Sequence, residues 1–348
     1  MPRKIPASYS HLQDSAEQLH LSADAYRRAL ELAGLKPTRG DWRQHIDRFL
    51  LSAGVILIVA GITAFFAWNW PELGHISKFA IIQAGILVAV LGAWRLGLDS
   101  PGGRVALAAA AFLVGTLLAV FGQVYQTGAD PYGLFLAWAA LILPWAVIGR
   151  QAGIWLLWLV LLNLTVIMYY TQVLHPPEGW WQLAQLLGPL VWLGTTVTDS
   201  TLAAYLFVLN IASLAVWEFR ARRGTPWMQG TLFPRLVALT ALVIVLIPTV
   251  IIILAAGLDE KTGLSVISPV LLLIAVAAAL YYYRHRRQDL FILTCSLFAV
   301  IMVVTSLFIN AMPGDGGSLL ILAMLVIVQV AAAAWWLRRV ALGWEKPA

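Results

Sequence analysis

The residues of this chain equipped for chemistry are few and dispersed. Its six histidines, His11, His20, His45, His75, His175 and His285, fall in loop-like stretches and near the N-terminus. None forms an HxxxH or HExxH pair, the spacing that would put two imidazoles on one helical face to hold zinc or haem. The single cysteine, Cys295, lies inside an apolar run. That excludes an intramolecular disulfide, a CxxC redox pair and a thiolate metal cage. Gly314-Asp315 has the GD pair of an intramembrane aspartyl protease, but no second membrane aspartate accompanies it, and a dyad needs two carboxylates. No GxSxG elbow or Walker loop occurs. The expectation is no catalytic residue set, no metal and no cofactor, which leans away from an enzyme.

Amides and aromatic rings, by contrast, are grouped. One group is Trp68-Asn69-Trp70, and the other is Gly122-Gln123-Val124-Tyr125-Gln126 with Asp130 and Tyr132 close behind. Tryptophan and tyrosine belong at a membrane interface without any further role. Asn69, Gln123 and Gln126 are different, because amides near the hydrocarbon edge must find partners. On a helix Gln123 and Gln126 share a face and Tyr125 turns away from both. Two readings stand: a hydrogen-bonded staple between the two segments, or a ligand or headgroup site made by Trp68, Asn69, Trp70, Gln123, Tyr125 and Gln126. Four further amides, Gln83, Asn163, Asn210 and Gln329, fall in the middle of apolar runs. There an amide ordinarily bonds to a neighbouring helix, the other reading being a polar translocation path.

The elements that position these residues follow from composition. The chain has 348 residues, 61% hydrophobic and 11% charged. A soluble domain is usually about 25% charged, so this is a polytopic membrane protein. Apolar runs near 20 residues, unbroken rather than alternating, specify helices and exclude a β-barrel. The expected architecture is all-α: about ten transmembrane helices and a small helical cytoplasmic head at the N-terminus. The spans are roughly 49–68, 76–96, 105–125, 132–148, 153–170, 202–217, 236–257, 264–283, 290–309 and 318–337. The fourth and sixth are the shortest, and the first is expected to act as an uncleaved signal anchor. By domain, 1–46 is the head, 47–340 the bundle and 341–348 a cytoplasmic tail. Residues 180–194, apolar but short and broken at Gly188-Pro189, read as an interfacial or re-entrant helix on the outer face.

With the N-terminus inside, 21 of the 23 lysines and arginines fall on the cytoplasmic side, leaving Lys78 and Lys261 outside. Glu72, Lys78, Asp130 and Asp199 sit at or beyond the outer ends of spans. No charge at mid-depth argues against a carboxylate proton relay or a voltage sensor. Gly54 and Gly61 in the first span, and Gly85, Ala89 and Gly92 in the second, lie on stripes suited to close helix packing. In the head, Ser22 is expected to cap a helix that Gly34 ends, with a shorter helix around 11–19 before it. Residues 1–46 carry 7 basic and 5 acidic residues, and no helix has a dense basic stripe, so nucleic acid is not an expected partner.

The stretches GVILIVAGITAFFAWNWPELGHISKFA and LLAVFGQVYQTGAD resemble the bacterial membrane family catalogued as domain of unknown function 2157, over about residues 10–150. The matching marks are Asn69-Trp70, Lys78-Phe79, Gly122-Gln123 and Tyr125-Gln126. The resemblance implies membership without an activity, and it implies that these polar residues matter beyond this one chain. Two functions are expected from the sequence. One is transport, or lipid or small-molecule binding, in a bacterial inner membrane through the outward polar-aromatic cluster. The other is a non-catalytic scaffold or regulatory protein acting through its head. Expected partners are membrane lipids and a membrane-protein partner or a second copy of the chain.

Overall fold

A computed structural model describes residues 9–33, 72–125, 130–174, 199–255, 266–312 and 316–345, with scattered positions between 36 and 64. The chain divides into two compact units, Met1–Lys78 and Phe79–Ala348.

Among the described residues of the first unit are the short helices α1 (Tyr9–Gln18) and α2 (Ala23–Leu32). The Ser22 hydroxyl accepts from the Ala25 backbone N–H at 3.3 Å, satisfying one of the donors that a helix start leaves open. The first expected span is described only at scattered positions, and Trp68, Asn69, Trp70 and the segment 180–194 lie outside the described residues.

From residue 75 onward the apolar runs become helices. These are α3 (His75–Leu96), α4 (Pro101–Tyr125), α5 (Pro131–Gly149), α6 (Ala152–Tyr169) and α7 (Ser200–Arg222). They continue as α8 (Leu232–Ala255), α9 (Ile267–His285), α10 (Leu290–Ala311) and α11 (Gly316–Glu345). Among the described residues, nine helices are long and apolar enough to cross a membrane. They coincide with the second to tenth expected spans. The two runs that looked short are 19 and 23 residues long as α5 and α7, because each helix continues past its apolar core into interfacial residues. An all-α polytopic membrane protein is the result.

Two groups of helices share the core of the second unit. Ala111 and Val114 of α4, Ala139 and Ile142 of α5 and Leu161 of α6 bury one another in the first. The second centres on α8, whose Ala241, Leu242 and Val245 pack against Phe207 of α7, Leu272, Ala275 and Val276 of α9 and Ala299 of α10. A methyl group on Gly85 would sit 3.2 Å from Leu113 Cδ1, and one on Gly92 would sit 3.8 Å from Ala106 Cβ. The small-residue face of α3 therefore meets α4, the third expected span.

Short links reverse the chain at one end of this bundle. Gly97, at φ +79, takes the left-handed conformation that stops α3. Ser100 then caps α4, accepting from Gly103 N–H at 3.0 Å and donating to the Gly97 carbonyl at 2.9 Å. Only Arg150 and Gln151 separate α5 from α6, and Arg150 takes a left-handed φ of 47.

Candidate functional site

Three groups of polar residues stand out, one at each end of the helices and one between.

At the end where α4 stops, Tyr125 stacks on Phe79 of α3 (centroids 6.1 Å) and lies against Phe121 (4.7 Å). The K-F and Q-Y marks of the sequence thus meet through their rings. Tyr125 is 60% exposed, and Gln123 stands exposed on the same last turn. Gln126 lies outside the described residues, as do Trp68, Asn69 and Trp70. Across the same end, Tyr132 of α5 meets Tyr169 of α6 edge to face at 5.3 Å. The last turn of α6 widens into a π-helical turn, Tyr170–Leu174, a form enriched at functional positions. There the Tyr170 hydroxyl donates to Asp199 Oδ2 at 2.8 Å, while Asp199 Oδ1 accepts from Thr201 and Leu202 N–H at the start of α7. Asp199 is thereby a helix cap, and it joins the end of α6 to the start of α7.

At mid-length, two of the four expected intramembrane amides come together. Asn210 Nδ2 donates to Asn163 Oδ1 at 2.7 Å and to the Leu206 carbonyl at 2.8 Å. Asn163 Nδ2 donates to the Leu159 carbonyl at 2.8 Å. Asn210 is 1% exposed, so the pair is a closed bridge between α6 and α7. Gln83 and Gln329 do not join it: Gln83 is exposed, and Gln329 Nε2 is buried on α11 without a partner among the described residues. Asn210→Ala is expected to cost about 0.6–2 kcal/mol, the range for polar bonds between membrane helices. Thermal unfolding in detergent of the single variants and of Asn163→Ala/Asn210→Ala checks it. The double loss should be clearly less than the sum of the singles, because they remove one shared bond.

The third group was not anticipated. Glu218 and Asp289 are each 5% exposed at the opposite end of the bundle. Glu218, near the end of α7, pairs with Arg287 and accepts from the hydroxyls of Tyr282 (3.1 Å) and Tyr283 (3.3 Å) at the end of α9. Arg287 also donates to the carbonyls of Gln229 and Gly230. Asp289 caps α10, accepting from Phe291 N–H at 3.0 Å, and pairs with Arg235 of α8 at 2.9 Å. Trp217 Nε1 donates to the Met228 carbonyl at 3.0 Å while its ring stacks on Phe233 at 3.9 Å. Trp344 of α11 donates to the Arg284 carbonyl at 3.1 Å. Five helix ends, α7 to α11, are clasped here. The sequence signal was slight: Glu218 is the one carboxylate between Asp199 and Asp259, standing among arginines.

All twelve arginines of the described second unit lie at this clasped end or at the neighbouring turns that join α3 to α4 and α5 to α6. Among the described residues, no three of His, Cys, Asp and Glu come close enough to hold a metal ion. The arrangement gathers guanidinium groups at one end and rings with an amide at the other.

No curated protein and no solved structure matches the chain. A family model does, and it covers α2 to the start of α6 together with the Lys78-Phe79 and Gly122–Tyr125 marks. Residues 16–155 match the family described as "Predicted membrane protein (DUF2157)", the family that those marks resemble.

Proposed function

We propose that this is a multi-pass protein of a bacterial inner membrane, both termini cytoplasmic, that binds a lipid headgroup or small polar molecule at the end where α4 stops. The observation that carries this reading is the exposed ring of Tyr125, stacked on Phe79 and lying against Phe121, with Gln123 exposed on another face of the same turn. An exposed phenol hydroxyl among three rings suits a ligand with one polar and one apolar part. The closed Asn163–Asn210 bridge speaks for binding at a surface over conduction along that path. The arginines gathered at one end support that orientation, since cationic residues are retained on the cytoplasmic side.

The same closed bridge also favours a second reading, a non-catalytic scaffold that acts through partner proteins and its head. One experiment separates the two. A photo-crosslinking amino acid at position 122, which shares a helical face with Tyr125 and where a side chain meets open space, is activated in intact membranes and is expected to give adducts of lipid or small-molecule mass that Tyr125→Ala reduces. Adducts with another protein would establish the scaffold. Adducts with neither would overturn the site.

A further inference from the structure

The two buried carboxylates at the clasped end are each taken by an inward arginine, Arg287 on Glu218 and Arg235 on Asp289. Four further arginines rest on aromatic rings without an acidic partner among the described residues, while Arg235 both pairs with Asp289 and lies over Phe291. Arg222 lies over Tyr282 and Arg223 over Phe219, while Arg284 lies 5.5 Å from the ring of Trp336 and Arg339 lies 4.6 Å from that of Trp335. Such ring contacts hold a guanidinium at the depth of the interfacial tryptophans, where phospholipid phosphates lie.

The last pair has a second property. On α11, Leu320, Met324, Ile327, Trp335 and Arg339 fall within one helical stripe, at steps of three, four and eight residues. Every one of them is exposed, and none of the 18-residue spanning window of α11 is buried. An apolar track the length of an acyl chain thus runs into a tryptophan and then a guanidinium. Trp336, three residues before Arg339, brings Arg284 of α9 to the same rim. The Trp344 bond to the Arg284 carbonyl fixes α11 against α9 there.

We propose that this rim is a site for an anionic phospholipid of the leaflet facing the arginines. Its phosphate sits between Arg284 and Arg339, and its chains lie along Leu320, Met324 and Ile327. Arginine suits the role because its planar fork accepts two phosphate oxygens at once. A continuous stripe of chain-facing and phosphate-facing groups is complementary to a lipid, and a free anion would leave the track unused.

The test is native mass spectrometry of the whole chain, released from nanodiscs that contain phosphatidylcholine and phosphatidylglycerol in equal amounts. The wild type is expected to retain phosphatidylglycerol preferentially, and Arg284→Gln/Arg339→Gln to lose that preference. The expected change is about thirtyfold, taking each arginine near an anionic surface at about 1 kcal/mol. Arg284→Lys/Arg339→Lys should keep part of the preference. Ile327→Gln should weaken retention of both lipids without altering their ratio, which separates the chain track from the charge. Retention that follows the bulk composition in the wild type would overturn the proposal. So would an unchanged preference in the glutamine variant, release of the bound lipid by inorganic phosphate alone, or a dimer that buries the α11 stripe.

Discussion

Glu218→Ala is expected to destabilise the protein by about 3–5 kcal/mol, the cost of leaving a buried charge without its partner. The carboxylate takes one guanidinium and two phenol donors. Removing it strands Arg287, which is only 18% exposed along its side chain, together with the Tyr283 hydroxyl in the core. Thermal and denaturant unfolding in detergent measures the loss. Glu218→Gln should cost less, since the amide oxygen still accepts from one tyrosine hydroxyl while its NH2 donates to the other. Glu218→Met/Arg287→Met should recover most of the stability, because replacing both ions of a buried pair by apolar groups is often near neutral. A Glu218→Ala variant within about 0.5 kcal/mol of the parent, the range of ordinary surface changes, would mean that water enters the clasp.

Gly115→Ala is the second large effect, at about 1–3 kcal/mol from overpacking. Trp138 of α5 lies across Gly115 of α4, and three atoms of its ring would be 2.4–2.5 Å from an added Cβ. The ring cannot swing away cheaply, because its Nε1 donates to the Ala111 carbonyl at 2.8 Å one turn earlier on α4. Phe112 closes the other side, edge to face at 6.1 Å. Trp138→Leu in the same chain should relieve the clash, so Gly115→Ala/Trp138→Leu should unfold at a temperature closer to Trp138→Leu than additive losses allow. Equal losses from Gly115→Ala with and without Trp138 would sink this account of the contact.

The spans were legible because hydrophobic runs of membrane length have few other solutions: nine of the expected ten coincide with helices. Asn163 and Asn210 were legible as amides that bond between helices. That they bond to each other was not, since 47 residues separate them and periodicity within a helix does not name a partner. The clasp escaped the sequence for the same reason on a larger scale. Glu218 meets Tyr283 from 65 residues away, and Arg235 meets Asp289 from 54. The sixth expected span also stops at Trp217, one residue short of Glu218, whereas α7 runs on to Arg222 and buries it. Tyr125 illustrates the reverse case. Its place at the edge of a span was plain from the motif, while its partner ring, Phe79, came from a mark that sequence reasoning quoted only for the resemblance.

The clasp has a mechanical consequence. Between α7 and α8, between α9 and α10, and where α11 ends, the helices are stitched to one another by ion pairs, caps and indole bonds at a single rim. A bundle bound along one edge moves as the leaves of a book move. With that spine held, movement among α7 to α11 is expected to grow with distance from the rim along those same helices.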